Sequence, residues 1–153
     1  MAKFYYGAYS HDLLNEEFRN NFKYIKYLDK TTLPGYRLVY RGNETDSFLT
    51  IEESINNSVE LVIYELKEKE IKSLNDYMYY PNIYSITYKV AYVLNEPKTI
   101  MLYYVQDRFD YRLPNKNKEK LYDKWYEYYK IPSKVLEKAY IDTYESISLK
   151  RVK

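Results

Sequence analysis

The sequence predicts an α+β protein, because segments typical of strands and of helices follow one another along its 153 residues. Residues 59–64 are β-branched and apolar, which predicts a buried strand. Residues 65–76 carry apolar side chains at helical spacing and predict a helix. Pro81 ends regular structure, and residues 84–94 then alternate as a strand does. A chain of this length is typical of one domain with a sizeable core.

The N-terminal part of the chain predicts a strand that runs directly into a helix. Residues 3–9 are an aromatic-rich strand segment, and residues 13–22 carry apolar side chains at helical spacing. Ser10 or Asp12 can cap the start of this helix. Because the first N–H groups of a helix lack partners, the turn between the two elements is a candidate site for an anion or a carbonyl oxygen.

The remaining segments add strands and then two helices. We expect a turn and strand at 33–40, a short extended segment at 48–51, a turn at 55–58, a hairpin turn at 95–98, a strand at 99–105, and helices at 118–130 and from 132 to about 144. This organisation predicts a single domain over residues 1–147 and a basic C-terminal tail over residues 148–153.

Composition excludes several classes of site. The chain has no Cys, which removes disulfides, thiol nucleophiles and thiolate metal sites. His11 is the only His, so a site with several His ligands is excluded too. The net charge of +2 is too balanced to favour nucleic acid. With no signal-peptide pattern and no long apolar run, we expect a cytoplasmic protein without cofactor, metal, membrane or nucleic-acid partner.

Tyr is unusually frequent, with 23 residues. Frequent Lys, Asn, Ile and Tyr are typical of an AT-rich coding sequence, which favours a bacterium or a virus that infects one as the source. Tyr also combines a flat apolar face with a polar tip, which suits small-ligand pockets and protein interfaces. The composition therefore favours a binding role and is compatible with an oligomer.

A resemblance to a known family begins in the middle of the chain. Residues 62–66 read Val-Ile-Tyr-Glu-Leu, and residues 74–81 read Leu-Asn-Asp-Tyr-Met-Tyr-Tyr-Pro, followed by Tyr84. This order resembles the γ-glutamylcyclotransferase-like (AIG2/ChaC-like) family, in which a strand ending in GVLYEL leads through a helix to LDxYEGxPxxY. The spacing fits without a gap, but Met78 stands at the place of the family's catalytic Glu. Tyr79 stands at the place of the neighbouring Gly.

The N-terminal turn carries the second part of the resemblance. Residues 8–14, Ala-Tyr-Ser-His-Asp-Leu-Leu, are similar to the family's AYGSNLL. Tyr9 keeps its place, whereas Ser10, His11 and Asp12 replace Gly, Ser and Asn. In the family, backbone N–H groups of this loop hold the γ-glutamyl group. A Ser restricts the φ range that Gly allows, and Asp12 adds a negative charge where a substrate carboxylate approaches.

Weaker motifs extend the resemblance over nearly the whole chain. Residues 33–40, LPGYRLVY, are similar to the family's LxGYRLxF. Tyr104 stands at the Tyr of its AWxYV strand, and Tyr122 and Pro132 fit its closing Tyr and Pro positions. The resemblance implies one small, strongly curved mixed β-sheet or barrel with flanking helices.

The resemblance also implies a reaction that this chain lacks a group to perform. In the family, the Glu takes a proton from the substrate's α-amino group, which attacks its own γ-carbonyl and releases 5-oxoproline. A thioether accepts no proton, so Met78 alone would cost roughly the 10²–10⁴-fold that a general base contributes. Asp76 and Glu53 are candidates for a relocated base. We therefore expect no catalytic residue at position 78.

The residues and the resemblance leave three alternative functions. The first is a non-catalytic protein that binds a nucleotide-derived or amino-acid-bearing small molecule, for example a viral protein that sequesters a host signal. The second is an active cyclotransferase with a relocated base, and the third is a Tyr-rich protein-interaction module.

We expect the ligand between the 9–13 loop and the 78–84 turn. The expected ligand-binding residues are Tyr9, Ser10, His11, Asp12, Leu13, Met78, Tyr79, Tyr84, Tyr104 and Tyr122.

Overall fold

A computed structural model of the chain describes residues 3–13, 22 and 24–152. Within these residues the elements are β1 (Lys3–Ala8), a short 3₁₀ turn (His11–Leu13), β2 (Lys26–Gly42), β3 (Ser47–Lys67), α1 (Glu68–Tyr77), β4 (Tyr84–Val93), β5 (Glu96–Val105), β6 (Asp110–Tyr111), α2 (Lys116–Tyr128) and α3 (Lys134–Val152). None of the helices in this part of the chain has the length and apolar character needed to span a lipid bilayer.

The six strands form one mixed sheet in the order β4-β5-β1-β3-β2-β6. The β1–β5 pair is parallel, and the other neighbouring strands are antiparallel. The sheet curls into a half-barrel, because the long β2–β3 hairpin changes register between Tyr27 and Asp29 and again between Pro34 and Tyr36. The curl brings β2 back towards β4, where Leu94 N donates to Asp29 Oδ2 at 3.2 Å. The predicted curved sheet with flanking helices is confirmed.

Close packing inside the curl depends on Gly7 of β1. A Cβ at this position would lie 2.7 Å from a Leu102 methyl carbon and 3.2 Å from one of Leu61. These distances are too short for ordinary van der Waals contact, so only Gly allows the strands to pack this tightly. The core contains aliphatic and Tyr side chains, and its largest fully buried residues are Tyr6, Tyr40, Tyr84, Tyr103, Tyr122 and Tyr126.

The structure corrects three predictions of local structure. The turn expected at 55–58 is wrong, because β3 continues through these residues: 54–57 form a bulge opposite Gly35, with Asn56 at a φ of 70°, and Ser58 pairs with Pro34. The hairpin turn lies at Leu94 and Asn95, both at positive φ, rather than at 95–98.

The last helix is also longer than expected. It continues to Val152, so residues 145–152 are helical and the predicted tail is helical over 148–152. Its sequence contains no Gly or Pro after Pro132 that would end it. Near its end, Lys150 Nζ lies 3.2 Å from Asp110 Oδ1. The helix expected at 13–22 falls largely outside the described residues.

Candidate functional site

The loop that follows β1, residues 9–13, lies at the centre of the candidate site and is called the β1 loop here. Its 3₁₀ turn is closed by a hydrogen bond from Leu13 N to Ser10 O at 2.9 Å. Residues from β3, β4 and α2 surround it, so the curled sheet and the second helix together bury the loop. Most of the predicted site residues lie in this loop or contact it.

A buried cluster of hydroxyls surrounds Ser10. Ser10 Oγ lies 2.9 Å from Leu49 O, 3.1 Å from Tyr84 OH and 3.3 Å from Tyr122 OH. Tyr84 OH also donates to Leu49 O at 3.0 Å, and Leu49 N donates to Tyr122 OH at 3.3 Å. Ser10, Tyr84 and Tyr122 have no exposed surface. A ligand therefore cannot touch these side chains in this conformation.

Hydrogen bonds hold both the side chain and the backbone of Tyr9. Its hydroxyl donates to Tyr103 O at 2.5 Å, and its own carbonyl accepts a hydrogen bond from Tyr126 OH at 2.5 Å. Burial raises the pKa of Tyr9 far above its usual value, so the phenol stays neutral. These contacts fix the start of the β1 loop against β5 and α2.

Asp12 turns its carboxyl group into the loop rather than towards solvent. Oδ1 accepts from Ser10 N at 2.9 Å, and Oδ2 accepts from the hydroxyl of Tyr6. The side chain is 2% exposed. Burial raises the pKa of Asp12 from 3.8 to about 7, although hydrogen bonds from backbone N–H groups, first that of Ser10, act in the opposite direction. The chain's own carboxyl group thus occupies N–H groups of a loop that the resemblance assigns to substrate binding.

His11 stands between aromatic rings at the outer side of the loop. Its ring centroid lies 5.3 Å from that of Tyr77, 5.9 Å from Tyr79 and 5.6 Å from Tyr84. Nε2 lies 3.4 Å from Tyr77 O, and the buried Nδ1 has no hydrogen-bond partner among the described residues. Burial lowers the pKa of His11 to about 4, with the Tyr77 carbonyl opposing this shift. The imidazole is therefore neutral at pH 7.

Met78 and Tyr79 directly follow α1, and their side chains lie in two different environments. Met78 is 1% exposed and belongs to the hydrophobic core, and its N–H donates to Leu74 O at 2.9 Å. Tyr79 is 52% exposed and has a φ of 53°. This left-handed conformation favours Gly, which is the residue that the family resemblance places here. The backbone thus has a glycine-like turn at Tyr79, while a buried thioether stands at position 78, where the resemblance places the catalytic Glu.

Tyr104 is not part of this cluster. It is half-buried and lines a separate cleft of about 700 Å³ together with charged residues, among them Arg41, Glu53 and Arg108. Asp76, the other candidate for a relocated base, is exposed on α1. None of the β1-loop residues lines the cleft that contains Tyr104.

A second cleft lies between β2, β3 and the end of α2, and we call it the tyrosine cleft. It also has a volume of about 700 Å³, and it is lined by Phe22, Ile25, Tyr27, Lys30, Tyr64, Tyr128, Tyr129 and Lys130. Sequence reasoning missed this surface. Its only sequence signal is a Tyr followed closely by a Lys in two segments about a hundred residues apart, at Tyr27 and Lys30 and at Tyr129 and Lys130.

Comparison with solved structures shows which fold this is. A gamma-glutamyl cyclotransferase matches with a TM-score of 0.77 and 17% identity over 90% of this chain and 86% of that chain. The uncharacterized protein LOC79017 from Homo sapiens gives a TM-score of 0.77 and 17% identity, over 91% and 87%. An AIG2-like protein from Mus musculus gives 0.57 and 14%, over 77% and 91%. No protein-family model and no curated protein matches the sequence.

Proposed function

From the γ-glutamylcyclotransferase-like fold of this chain, we propose that the protein binds a small molecule without turning it over. The observation that carries this proposal is Met78, a buried core residue at the position where the resemblance places the catalytic Glu. A general base has to lie within hydrogen-bond reach of the proton that it accepts. The Met78 thioether accepts no proton and is packed in the hydrophobic core, so it cannot act as this base.

Asp12 supports the same proposal from the other side of the site. Its carboxyl group accepts from Ser10 N and from Tyr6 OH inside the β1 loop. A substrate carboxylate or carbonyl oxygen would compete with the Asp12 carboxyl group for the N–H donor of Ser10. The loop is therefore poorly suited to hold a γ-glutamyl group.

We infer that the ligand is nucleotide-derived or amino-acid-bearing and that the protein sequesters it in the cytoplasm. A protein that binds a signal molecule without destroying it lowers the free concentration of that molecule, and a virus can use such a protein against its host. The abundance of Tyr supports a binding role, because Tyr offers stacking faces and hydroxyl donors together.

The test of the proposal has two parts. Wild-type protein incubated with γ-glutamyl peptides and amines should release no 5-oxoproline, as measured by liquid chromatography with mass spectrometry. Native mass spectrometry of the protein purified from its host should show a bound small molecule. Turnover by the wild type that disappears in Asp76→Asn or Glu53→Gln would instead identify a relocated base and an active enzyme.

One observation favours the active enzyme as a second candidate. The pKa of Asp12, raised to about 7 by burial, is suited to general acid–base catalysis near neutral pH. Against this role, both carboxyl oxygens of Asp12 already accept hydrogen bonds from within the chain. If Asp12 were the base, wild-type turnover would disappear in Asp12→Asn while Glu53→Gln retained it.

The interaction module is the third candidate, and exposed apolar side chains on the edge strand β4 favour it. Tyr88, Val90 and Tyr92 alternate along one face of this strand and are largely exposed. Two results together would favour the interaction module over the small-molecule proposal. The purified protein would carry no small molecule, and affinity capture would yield one stoichiometric protein partner that the Tyr92→Ser variant no longer binds.

A further inference from the structure

We propose, building on the small-molecule-binding function above, that the tyrosine cleft is the ligand site and that its ligand is an aromatic anion. The class comprises planar ring systems that carry a phosphate or similar group. The inference rests on three properties of the cleft, namely its aromatic walls, its rigid floor and its positive charge.

Aromatic side chains form the walls of the cleft and expose part of their surface. The Tyr27 ring centroid lies 6.3 Å from that of Tyr64 and 6.2 Å from that of Tyr129. Tyr128 and Tyr129 lie 5.0 Å apart at nearly right angles. Tyr27 is 49% exposed and Tyr128 is 55% exposed. Aromatic rings held in fixed orientation around an opening provide stacking surface for a planar ligand.

The floor of the cleft is held in place by contacts beneath it. Tyr64 is almost fully buried, and its hydroxyl lies 2.6 Å from that of Tyr129. The Tyr64 ring stacks on Tyr6 with a centroid distance of 6.4 Å. Tyr6 in turn donates to Asp12 in the β1 loop. A site whose side chains are fixed before binding loses less conformational entropy when a ligand arrives.

The charge of the described lining residues is positive. Lys30 and Lys130 line the cleft, and no Asp or Glu is among these residues. Lys30 Nζ donates to Tyr129 O at 2.9 Å, which places the ammonium group beside the aromatic wall. An ammonium group has three N–H donors, so this contact leaves capacity for a ligand oxygen. The nearby Asp29 carboxylate accepts instead from the backbone N–H groups of Lys30 and Leu94.

The cleft that contains Tyr104 differs in charge although its volume is the same. Its lining has three cationic and three acidic side chains, so an anionic ligand would meet repulsion as well as attraction there. The cationic residues are Arg41, Lys89 and Arg108, and the acidic residues are Glu52, Glu53 and Asp107. A volume of about 700 Å³ is within the usual range for small-molecule sites in both cases. Of these two clefts, the tyrosine cleft is the better site for an aromatic anion, because it combines aromatic walls with a net positive charge.

Isothermal titration calorimetry with adenosine 5′-monophosphate and phenyl phosphate tests the inference on the full chain. We expect wild-type protein to bind at least one of the two, and to bind adenosine and inorganic phosphate at least tenfold more weakly. Tyr27→Ala and Lys30→Gln should each weaken binding about tenfold. Tyr88→Ala and Lys89→Gln are matched controls outside the cleft and should leave the affinity unchanged. Circular dichroism and thermal melting establish that every variant is folded.

Several results would overturn the inference. They are the absence of binding by both aromatic anions, equal affinity for adenosine and its monophosphate, or a loss of affinity in Tyr88→Ala as large as in Tyr27→Ala. These results are distinct from failure of the proposed function. If native mass spectrometry shows a bound small molecule that the Tyr27→Ala variant still retains, the binding function stands but the ligand site lies elsewhere. Release of 5-oxoproline would instead remove the non-catalytic role itself.

Discussion

Tyr side chains both surround the β1 loop and line the tyrosine cleft, yet the first region is closed and the second is open. Around the loop, the hydroxyls of Tyr84 and Tyr122 bond to Ser10 and to the backbone of Leu49, and both rings are fully buried. In the cleft, Tyr27 keeps about half of its surface exposed. The same residue type therefore fills a core in one region and walls an opening in the other.

The difference follows from where each hydroxyl finds its partner. A buried hydroxyl must be hydrogen-bonded within the protein, so the loop cluster uses its polar groups for stability and has no free surface for a ligand. A hydroxyl at an opening can bond to water and exchange that water for a ligand group. The surroundings of the β1 loop are thus closed, while the tyrosine cleft keeps exposed aromatic surface.

A Glu at position 78, where the resemblance places the catalytic Glu, should destabilise the closed region most strongly. Met78→Glu places a carboxyl group at a position that is 1% exposed, where an unpaired buried charge costs about 3–5 kcal/mol. We expect that loss in the free energy of unfolding, measured with urea, and still no release of 5-oxoproline because Asp12 continues to occupy the loop. Tyr79→Glu, at the exposed neighbouring position, should cost no more than about 1 kcal/mol. Equal costs for the two variants would contradict a closed site.

Two neighbouring loop residues should give opposite pH dependence. The pKa of Asp12 is raised to about 7 in the folded state, so increasing pH from about 4 to 7 favours the unfolded chain, in which the carboxyl ionises at lower pH. The pKa of His11 is lowered to about 4, so increasing pH over 4 to 6.5 favours the folded state. The two contributions oppose each other in the wild type.

Single variants separate these contributions. Relative to the wild type, Asp12→Asn should gain unfolding free energy as pH rises from 4.5 to 7.5, by an amount on the order of 3 kcal/mol. His11→Gln should lose unfolding free energy over the same interval, which makes it the control of opposite sign. Urea unfolding at the two pH values measures both. A pH-independent difference for Asp12→Asn would show that this carboxyl group is not buried.

Removal of one hydroxyl from each region gives the most conservative comparison. Tyr122→Phe leaves Leu49 N and Ser10 Oγ without one of their hydrogen-bond partners in the core, and an unsatisfied buried group costs about 1–3 kcal/mol. Tyr27→Phe removes a hydroxyl from a half-exposed ring and should change the unfolding free energy by no more than about 0.5 kcal/mol. Comparable urea midpoints for the two variants would mean that the loop cluster is hydrated.

The sequence predicted the fold through motif order, because strand and helix patterns depend on local spacing. Residues 59–64 lie in β3, and residues 84–94 and 99–105 match β4 and β5 closely. It did not predict the inward turn of Asp12, since a charged side chain in a loop is ordinarily expected to face solvent. The tyrosine cleft was also not predictable, because Tyr27 and Tyr129 are distant in sequence and meet only through the tertiary packing of β2 against the end of α2.

Nitration of the native protein by tetranitromethane, mapped by mass spectrometry, tests the contrast between closed loop and open cleft most directly. The reagent attacks accessible tyrosines as phenolates, and burial both covers Tyr84 and Tyr122 and raises the pKa of each well above its usual value. We predict nitration of Tyr27, as of the exposed Tyr88, while Tyr84 and Tyr122 stay unmodified until the protein is unfolded. Nitration of Tyr84 or Tyr122 in the folded protein at the rate of Tyr27 would contradict the account.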